Sequence, residues 1–250
     1  MHRFIVDSLI TEIGQEIVLN QEESDHASKV LRLKVGEEVQ LLDGENRYEA
    51  VLTDVSGLVS ARVTALCASP EAPSRAVLLQ GLPKADKLEM IVQKATELGV
   101  WQIWPVEMLR SVAKADKGMK DARKRERLQR IALEAAKQSG RAHVPEVSLT
   151  CPLKEALRRI SQEEFDLILV AWEEEHALPM SKAVGEYVAR NGIPQKTLIV
   201  IGPEGGIDES EKRLLDELGA RSVTLGPRIL RTETAGLCAL AVLWTALDEM

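Results

Sequence analysis

Ile201-Gly202-Pro203-Glu204-Gly205-Gly206 and Leu225-Gly226-Pro227-Arg228-Ile229-Leu230-Arg231-Thr232-Glu233-Thr234-Ala235 are two glycine-marked junctions, each set where a β-like apolar run gives way to a helical pattern. The first follows Leu198-Ile199-Val200 and leads to Asp208 with Glu211 three residues on, a spacing that satisfies free N–H groups at a helix start. The second follows Val223-Thr224 and opens a final helix, with Thr232 as its expected cap. Glycine lets backbone approach a ligand and tolerates positive φ, while proline stiffens a loop and removes a donor. One Gly-Pro loop is as readily an ordinary turn. Two of them, the second carrying Arg228, Arg231 and Glu233, read as halves of one ligand pocket. No G-x-G-x-x-G follows a strand and no G-x-x-x-x-G-K-[ST] occurs, which argues against a Rossmann dinucleotide site and a Walker-type phosphate loop.

Outward from these loops, strand and helix patterns alternate. Strands are expected at Ala76–Leu79, Gln102–Pro105, Asp166–Ala171, Thr197–Ile201 and Ser222–Leu225. Helices are expected near Lys84–Leu98, Met119–Ser139, Leu153–Ile160, Ser181–Arg190, Glu209–Leu218 and Glu233–Leu247. That order defines an α/β fold with a mostly parallel sheet, whose ligands bind beyond the carboxyl ends of the strands. Ala171-Trp172-Glu173, the Gly202 loop and the Gly226 loop should therefore converge. Up to about residue 70 the pattern is instead short β runs around Phe4–Val6, Glu16–Leu19, Glu38–Leu42, Ala50–Val55 and Val59–Leu66, with one helix near Ser24–Leu31. Asp43-Gly44 and Ser56-Gly57 are hairpin candidates in this small β-barrel. Ala68-Ser69-Pro70-Glu71-Ala72-Pro73 reads as a linker, giving domains at 1–70 and 74–250.

Composition restricts the class of function. Three cysteines, Cys67, Cys151 and Cys238, lie scattered without metal-ligand spacing, as expected of buried thiols in a reducing cytoplasm. His2, His26, His143 and His176 form no cluster, so no metal site is expected. The longest late apolar stretch, Leu237–Leu247, is too short to span a bilayer, and the N-terminus has no leader pattern, so the expectation is a soluble cytoplasmic protein. Of the net charge of −7, residues 1–70 carry −6, with six basic against twelve acidic residues. Lys114–Arg130 runs the other way, with a local excess of +5. Such a stripe suits phosphate contacts, although from the charge alone a solvated helix face is the simpler account.

The two loops resemble those of the SPOUT methyltransferases, and the longer pattern resembles the RsmE family of 16S rRNA uridine N3-methyltransferases. Met1-His2-Arg3-Phe4, His26 with Val30-Leu31-Arg32 and Gly36, Lys94-Ala95-Thr96-Glu97-Leu98-Gly99-Val100, Arg110-Ser111-Val112 and Gln138-Ser139-Gly140-Arg141 look like that family's blocks, in order along essentially the whole chain. The resemblance implies a PUA-like barrel followed by a SPOUT domain with a C-terminal trefoil knot, a rare exception to unknotted topology. It also implies a homodimer that binds S-adenosylmethionine and acts on 16S rRNA in the small ribosomal subunit. Carried onto this sequence, the cofactor would lie against Ala171, Trp172 and Glu173, against Gly202, Pro203, Glu204, Gly205 and Gly206, and against Leu225, Gly226, Ile229, Leu230 and Arg231.

Methyl transfer from a sulfonium needs alignment and no metal. Uracil N3 holds its proton at neutral pH and becomes a good nucleophile only when that proton is removed or shared. Glu233 is the candidate acceptor and Arg231 the candidate stabiliser of charge on the uracil oxygens, although an acidic residue also suits the first turn of a helix. Arg3, Arg32, Arg110, Lys124, Arg125 and Arg141 are the candidate RNA contacts, with ion pairing as the alternative for Arg110 and Arg141. Trp172 could stack on a base or belong to the core. Two other readings stay open: a SPOUT enzyme acting on tRNA or on ribose 2′-OH, and a non-catalytic RNA-binding or assembly factor.

Overall fold

The computed structural model describes residues 1–84, 86–115 and 118–249. Ala85 and Met250 lie outside the described residues, as do Asp116 and Lys117 of the basic stretch. The chain forms two compact units, one of Met1–Glu71 with Glu134–Val144 and the other of Ala72–Leu133 with the chain from Pro145 onward.

The first unit holds β1 (His2–Ile5), β2 (Glu16–Val18), α1 (Gln21–Asp25, continued by a π-helical turn over His26–Val30), β3 (Glu38–Leu42), β4 (Arg47–Asp54) and β5 (Ser60–Cys67). The strand order is β1-β3-β4-β5-β2, with β1 parallel to β3 and the remaining pairs antiparallel. Alternation puts Phe4, Val39, Leu41, Ala50, Leu52, Ala61 and Val63 into one core. The helix begins earlier than the expected Ser24, because the Asn20 side chain accepts the Glu23 N–H at 2.9 Å and caps it there. At the β3–β4 hairpin, Asp43 Oδ1 accepts the N–H groups of Glu45 and Asn46 at 3.0 and 2.7 Å.

Residues 134–144 join this unit, although the sequence places them within the second domain. Arg3 donates to the carbonyls of Lys137 and Gln138 at 2.9 and 2.8 Å, Lys137 pairs with Glu23, and Arg141 grips Glu71 at 2.7 Å. The guanidinium of Arg3 thus satisfies free carbonyls at a helix C-terminus.

The second unit is α/β throughout. Its strands are β6 (Arg75–Gly81), β7 (Gln102–Glu107), β8 (Glu146–Val147), β9 (Cys151–Pro152), β10 (Leu167–Ala171), β11 (Lys196–Ile201) and β12 (Arg221–Val223). Every pair is parallel, in the order β12-β10-β11-β6-β7-β8, with β9 also on β7. The helices are α2 (Lys87–Glu97), α3 (Met119–Ser139, whose last residues belong to the first unit), α4 (Leu153–Gln162), α5 (Met180–Asn191), α6 (Glu209–Glu217) and α7 (Thr232–Leu247). Leu153, Ile160 and Leu215 of α4 and α6 pack with Val77, Leu79, Leu198 and Val200. The alternate β6 residues turn to the other face, where Leu78 and Gln80 meet Gly236 of α7. The three cysteines are free and half-buried rather than fully enclosed, and burial pushes the Cys151 thiol up to about 11, which leaves it inert. No described helix is long and apolar enough to cross a membrane.

Candidate functional site

The carboxyl ends of β10, β11 and β12 lie side by side, so the three loops that leave them face one region. The loop after β11 packs directly on β6. A methyl group built on Gly81 would stand 2.5 Å from Pro203 N and 2.6 Å from Pro203 Cδ. In the same loop, Gly206 has φ +75°, a conformation that favours glycine, and the movable Glu173 carboxylate lies against it. Asp208 caps α6 as expected, accepting the Ser210 N–H at 3.0 Å. Glu211, the expected capping partner, reaches out to accept the Leu109 N–H at 2.8 Å, and burial pushes its carboxyl above the usual range.

After β12 the chain runs from the edge of the sheet to its middle, across the ends of β10 and β11, and α7 begins beside β6. The anchor there is Thr232. Gln80 Nε2 donates to its hydroxyl at 2.8 Å, and the hydroxyl donates to the Gly202 carbonyl at 2.6 Å. Thr232 is therefore not the cap: its hydroxyl is engaged in tertiary bonds, and Arg231, with extended backbone, takes the cap position without a side-chain bond. This crossing is where the resemblance locates the knot.

Between the loops lies a cavity of about 390 Å³, within the usual range for small-molecule sites. Ala171, Trp172 and Glu173 line it, together with Gly202, Pro203 and Glu204. Leu225, Gly226, Ile229, Leu230 and Arg231 form the remaining wall among the expected residues. Gly205 and Gly206 lie outside the lining: Gly205 backs onto Arg110, whose Nη1 donates to its carbonyl at 3.5 Å, and Gly206 sits beneath Glu173. The Trp172 ring packs on the core and lies 5.0 Å from Lys212 Nζ, so much of its surface is already engaged.

A charged cluster borders the cavity, and its centre, Lys87, is absent from the sequence expectations. Lys87 Nζ lies 2.9 Å from Glu204 Oε1 and 3.2 Å from Glu233 Oε2, and Arg231 Nη1 is 3.9 Å from Glu233 Oε1. Glu204 also accepts the Lys84 N–H at 3.1 Å. The Glu204 carboxylate first, then Glu233, raises the Lys87 ammonium above its ordinary value. Burial pushes the Glu204 carboxyl up, but Lys87 and the Lys84 N–H outweigh it and hold the group below the usual range. Glu233 does not line the cavity; its side chain is only 10% exposed behind Lys87 and Arg231. Its Oε2 has no partner of hydrogen-bond geometry, so the Lys87 contact is an ion pair alone. Lys87 and Gln80 were missed because neither belongs to a local motif; each meets partners more than a hundred residues away.

The expected RNA contacts separate by environment. Arg141 is 4% exposed and bidentate on Glu71, and Arg3 is committed to Gln40, Lys137 and Gln138. Both therefore brace the first unit, and their guanidinium donors already have protein acceptors there. Arg110 pairs with Asp208 at 3.2 Å. Arg32 and Arg125 are exposed, and Lys124 is half-buried. Among the described residues, no group of three or more His, Cys, Asp or Glu side chains could hold a metal ion.

Residues 70–244 match an RNA methyltransferase domain family and residues 19–58 an RNA methyltransferase PUA domain family. A parallel α/β sheet with ligand loops at its carboxyl edge, combined with a PUA domain, defines the class: an RNA methyltransferase of SPOUT type. The chain is 35% identical over 250 residues to ribosomal RNA small subunit methyltransferase E of Bacillus subtilis strain 168, covering 97% of this chain and 96% of that protein. The crystal structure of ribosomal RNA small subunit methyltransferase E from Neisseria gonorrhoeae bound to S-adenosyl methionine superposes with a TM-score of 0.81 at 30% identity, covering 98% of this chain and 97% of that one. A putative methyltransferase from Legionella pneumophila in complex with the cofactor gives 0.74 at 32% identity, covering 98% and 97%. The chain belongs to the ribosomal RNA small subunit methyltransferase E family.

Proposed function

We propose that this protein is an S-adenosylmethionine-dependent methyltransferase that modifies N3 of a uridine in 16S rRNA of the small ribosomal subunit. The observation that carries this reading is the convergence of both glycine loops on one cavity with a cationic and carboxylate cluster at its border. Relatives of similar length bear the name ribosomal RNA small subunit methyltransferase E, and one was crystallised with S-adenosyl methionine.

The cavity fits that cofactor. Leu225, Ile229 and Leu230 offer apolar surface for a ring, while the loop backbones of Gly202, Pro203 and Gly226 supply polar atoms at close approach. When bound, S-adenosylmethionine supplies an electrophilic methyl: the N–CH₃ bond forms as the S–CH₃ bond breaks, and its electron pair stays on sulfur. The chain's own residues then have two tasks, to orient the uracil and to manage its N3 proton. Glu233 takes that proton, because Glu204 is held by hydrogen bonds from the Lys84 N–H and Lys87, whereas Glu233 meets Lys87 and Arg231 only as ion pairs at 3.2 and 3.9 Å. Arg231 stands beside it and offsets charge on the uracil oxygens.

Residues 1–70 would serve RNA recognition, and residues 74–250 cofactor binding, catalysis and dimerisation. A homodimer is supported by α7, which lacks a polar face: Leu237, Cys238, Ala241, Val242 and Ala246 stay half-exposed along it. Arg32, Lys124 and Arg125 are the RNA contacts this reading favours, with Arg3, Arg110 and Arg141 already engaged by protein acceptors. The decisive experiment incubates small subunits from a strain lacking the gene with enzyme and cofactor, then measures nucleosides by mass spectrometry. N3-methyluridine is the expected product; its absence, or a 2′-O-methylated nucleoside in its place, refutes the assignment.

A further inference from the structure

Among the described residues, Lys87 is the only lysine lining the cavity. It differs from the arginines there in its surroundings, with a side chain 31% exposed against 81% for Arg231. A partly dehydrated cation acts through a lower effective dielectric and is screened less by salt than a solvated one. Its position is fixed from two elements, Glu204 in the loop after β11 and Glu233 in the first turn of α7. An ammonium has three N–H donors. Glu204 takes one in a hydrogen bond, Glu233 attracts the charge without hydrogen-bond geometry, and donor capacity is left over toward the cavity.

A uracil that has lost its N3 proton spreads negative charge over N3 and both carbonyl oxygens. That anion is stabilised most by a cation already in place, which needs no reorganisation when the charge appears. We propose that Lys87 is a catalytic residue that donates to a uracil carbonyl oxygen and holds the imide anion, with Glu204 and Glu233 as its positioning residues. This inference rests on the N3-methyltransferase reading above. Charge balances within the cluster: the proton passes from N3 to Glu233, which becomes neutral as the imide becomes anionic. Lys87, until then shared between two carboxylates, is left with Glu204 and the uracil oxygen. The raised proton affinity of Lys87 keeps it charged throughout the neutral range.

Single-turnover methylation of small ribosomal subunits by the wild type, Lys87→Gln and Lys87→Arg, with cofactor affinity measured by calorimetry, tests the assignment. Lys87→Gln should lose roughly 100- to 1000-fold in rate, the effect of removing one preorganised donor to a developing anion. Its S-adenosylmethionine affinity should stay within about threefold of wild type, since the lost interaction forms only as charge develops. Lys87→Arg should recover part of the rate. On subunits in which 5-fluorouracil replaces uracil, the more acidic imide should shrink the Lys87→Gln deficit. Wild-type rate in Lys87→Gln overturns the proposal. So does a deficit unchanged on fluorinated subunits, or one matched by an equal loss of cofactor affinity, because Lys87 would then be scaffolding. A wild-type enzyme that yields no N3-methyluridine removes the underlying N3 reading instead, which separates the two failures.

Discussion

Replacing Gly81 with alanine puts a methyl group where the loop after β11 already stands. The new Cβ would lie 2.5 Å from Pro203 N, 2.6 Å from Pro203 Cδ and 2.8 Å from Gly202 C. Carbon contacts are optimal at about 3.5–4.0 Å, so the loop must retreat by roughly 1 Å. None of the three atoms is the free end of a flexible side chain; two are backbone and one belongs to a proline ring. Overpacking of this kind costs about 1–3 kcal/mol. The functional effect should be larger, because a displacement of about 1 Å in a positioning element can lower a rate about 100-fold. Urea unfolding at fixed protein concentration reads the first effect, and calorimetric titration with S-adenosylmethionine plus single-turnover methylation reads the second. Gly185→Ala is the control: its Cβ would meet nothing within 4 Å in α5, and it should gain about 0.5–1 kcal/mol from helix propensity. If Gly81→Ala kept the wild-type midpoint, cofactor affinity and rate, the loop would not be braced on β6 and this account of the site's rigidity would fail.

Thr232→Val keeps the shape of the side chain and deletes the bonds to Gln80 and Gly202, so unfolding should show a loss of about 2–3 kcal/mol, two hydrogen bonds plus a partly stranded carbonyl. A loss below about 0.5 kcal/mol would mean solvent replaces both partners. Glu211 is a buried carboxyl whose proton affinity is raised in the native state. Native protein therefore binds more protons than unfolded chain between the ordinary value of 4.5 and the raised one, and stability from this group falls as pH rises through that window. Glu211→Gln, whose amide oxygen can still accept the Leu109 N–H, should flatten that part of the stability–pH curve; an unchanged curve refutes the assignment. Arg125→Glu with Arg130→Glu on the exposed side of α3 should weaken subunit binding and reduce the salt slope by roughly 1.5–2, if both side chains meet phosphate. An identical slope would make that stripe a solvated face.

The order of strands and helices was legible because β6, β7, β10 and β11 are short, largely apolar runs, and Met119–Ser139 matched the observed helix end for end. The strands β8 and β9 were not, since two residues carry no periodicity. The Gly202 and Gly226 loops announced a pocket through their backbone chemistry, which is local. Lys87, Gln80 and Gly81 gave no such signal, because their significance comes from atoms of Glu204, Thr232 and Pro203, which only the fold brings near. Charge is equally silent about partners: the sequence cannot reveal that Arg3 meets the Gln138 carbonyl and Arg141 meets Glu71. Thr232 had the chemistry of a cap and a better use for its hydroxyl.

The bond from Thr232 to the Gly202 carbonyl also has a consequence for the order in which the protein comes into being. A chain emerges from the ribosome N-terminus first, and the loop after β11 is synthesised well before α7. Until Thr232 appears, that loop lacks its tie, and the wall formed by Leu225–Arg231 is not anchored against it. A nascent chain can therefore complete its first unit and most of its sheet while remaining unable to take up cofactor. Competence waits for α7, and pulse-labelled nascent chains stalled before and after residue 232 should differ in cofactor retention far more than in compactness.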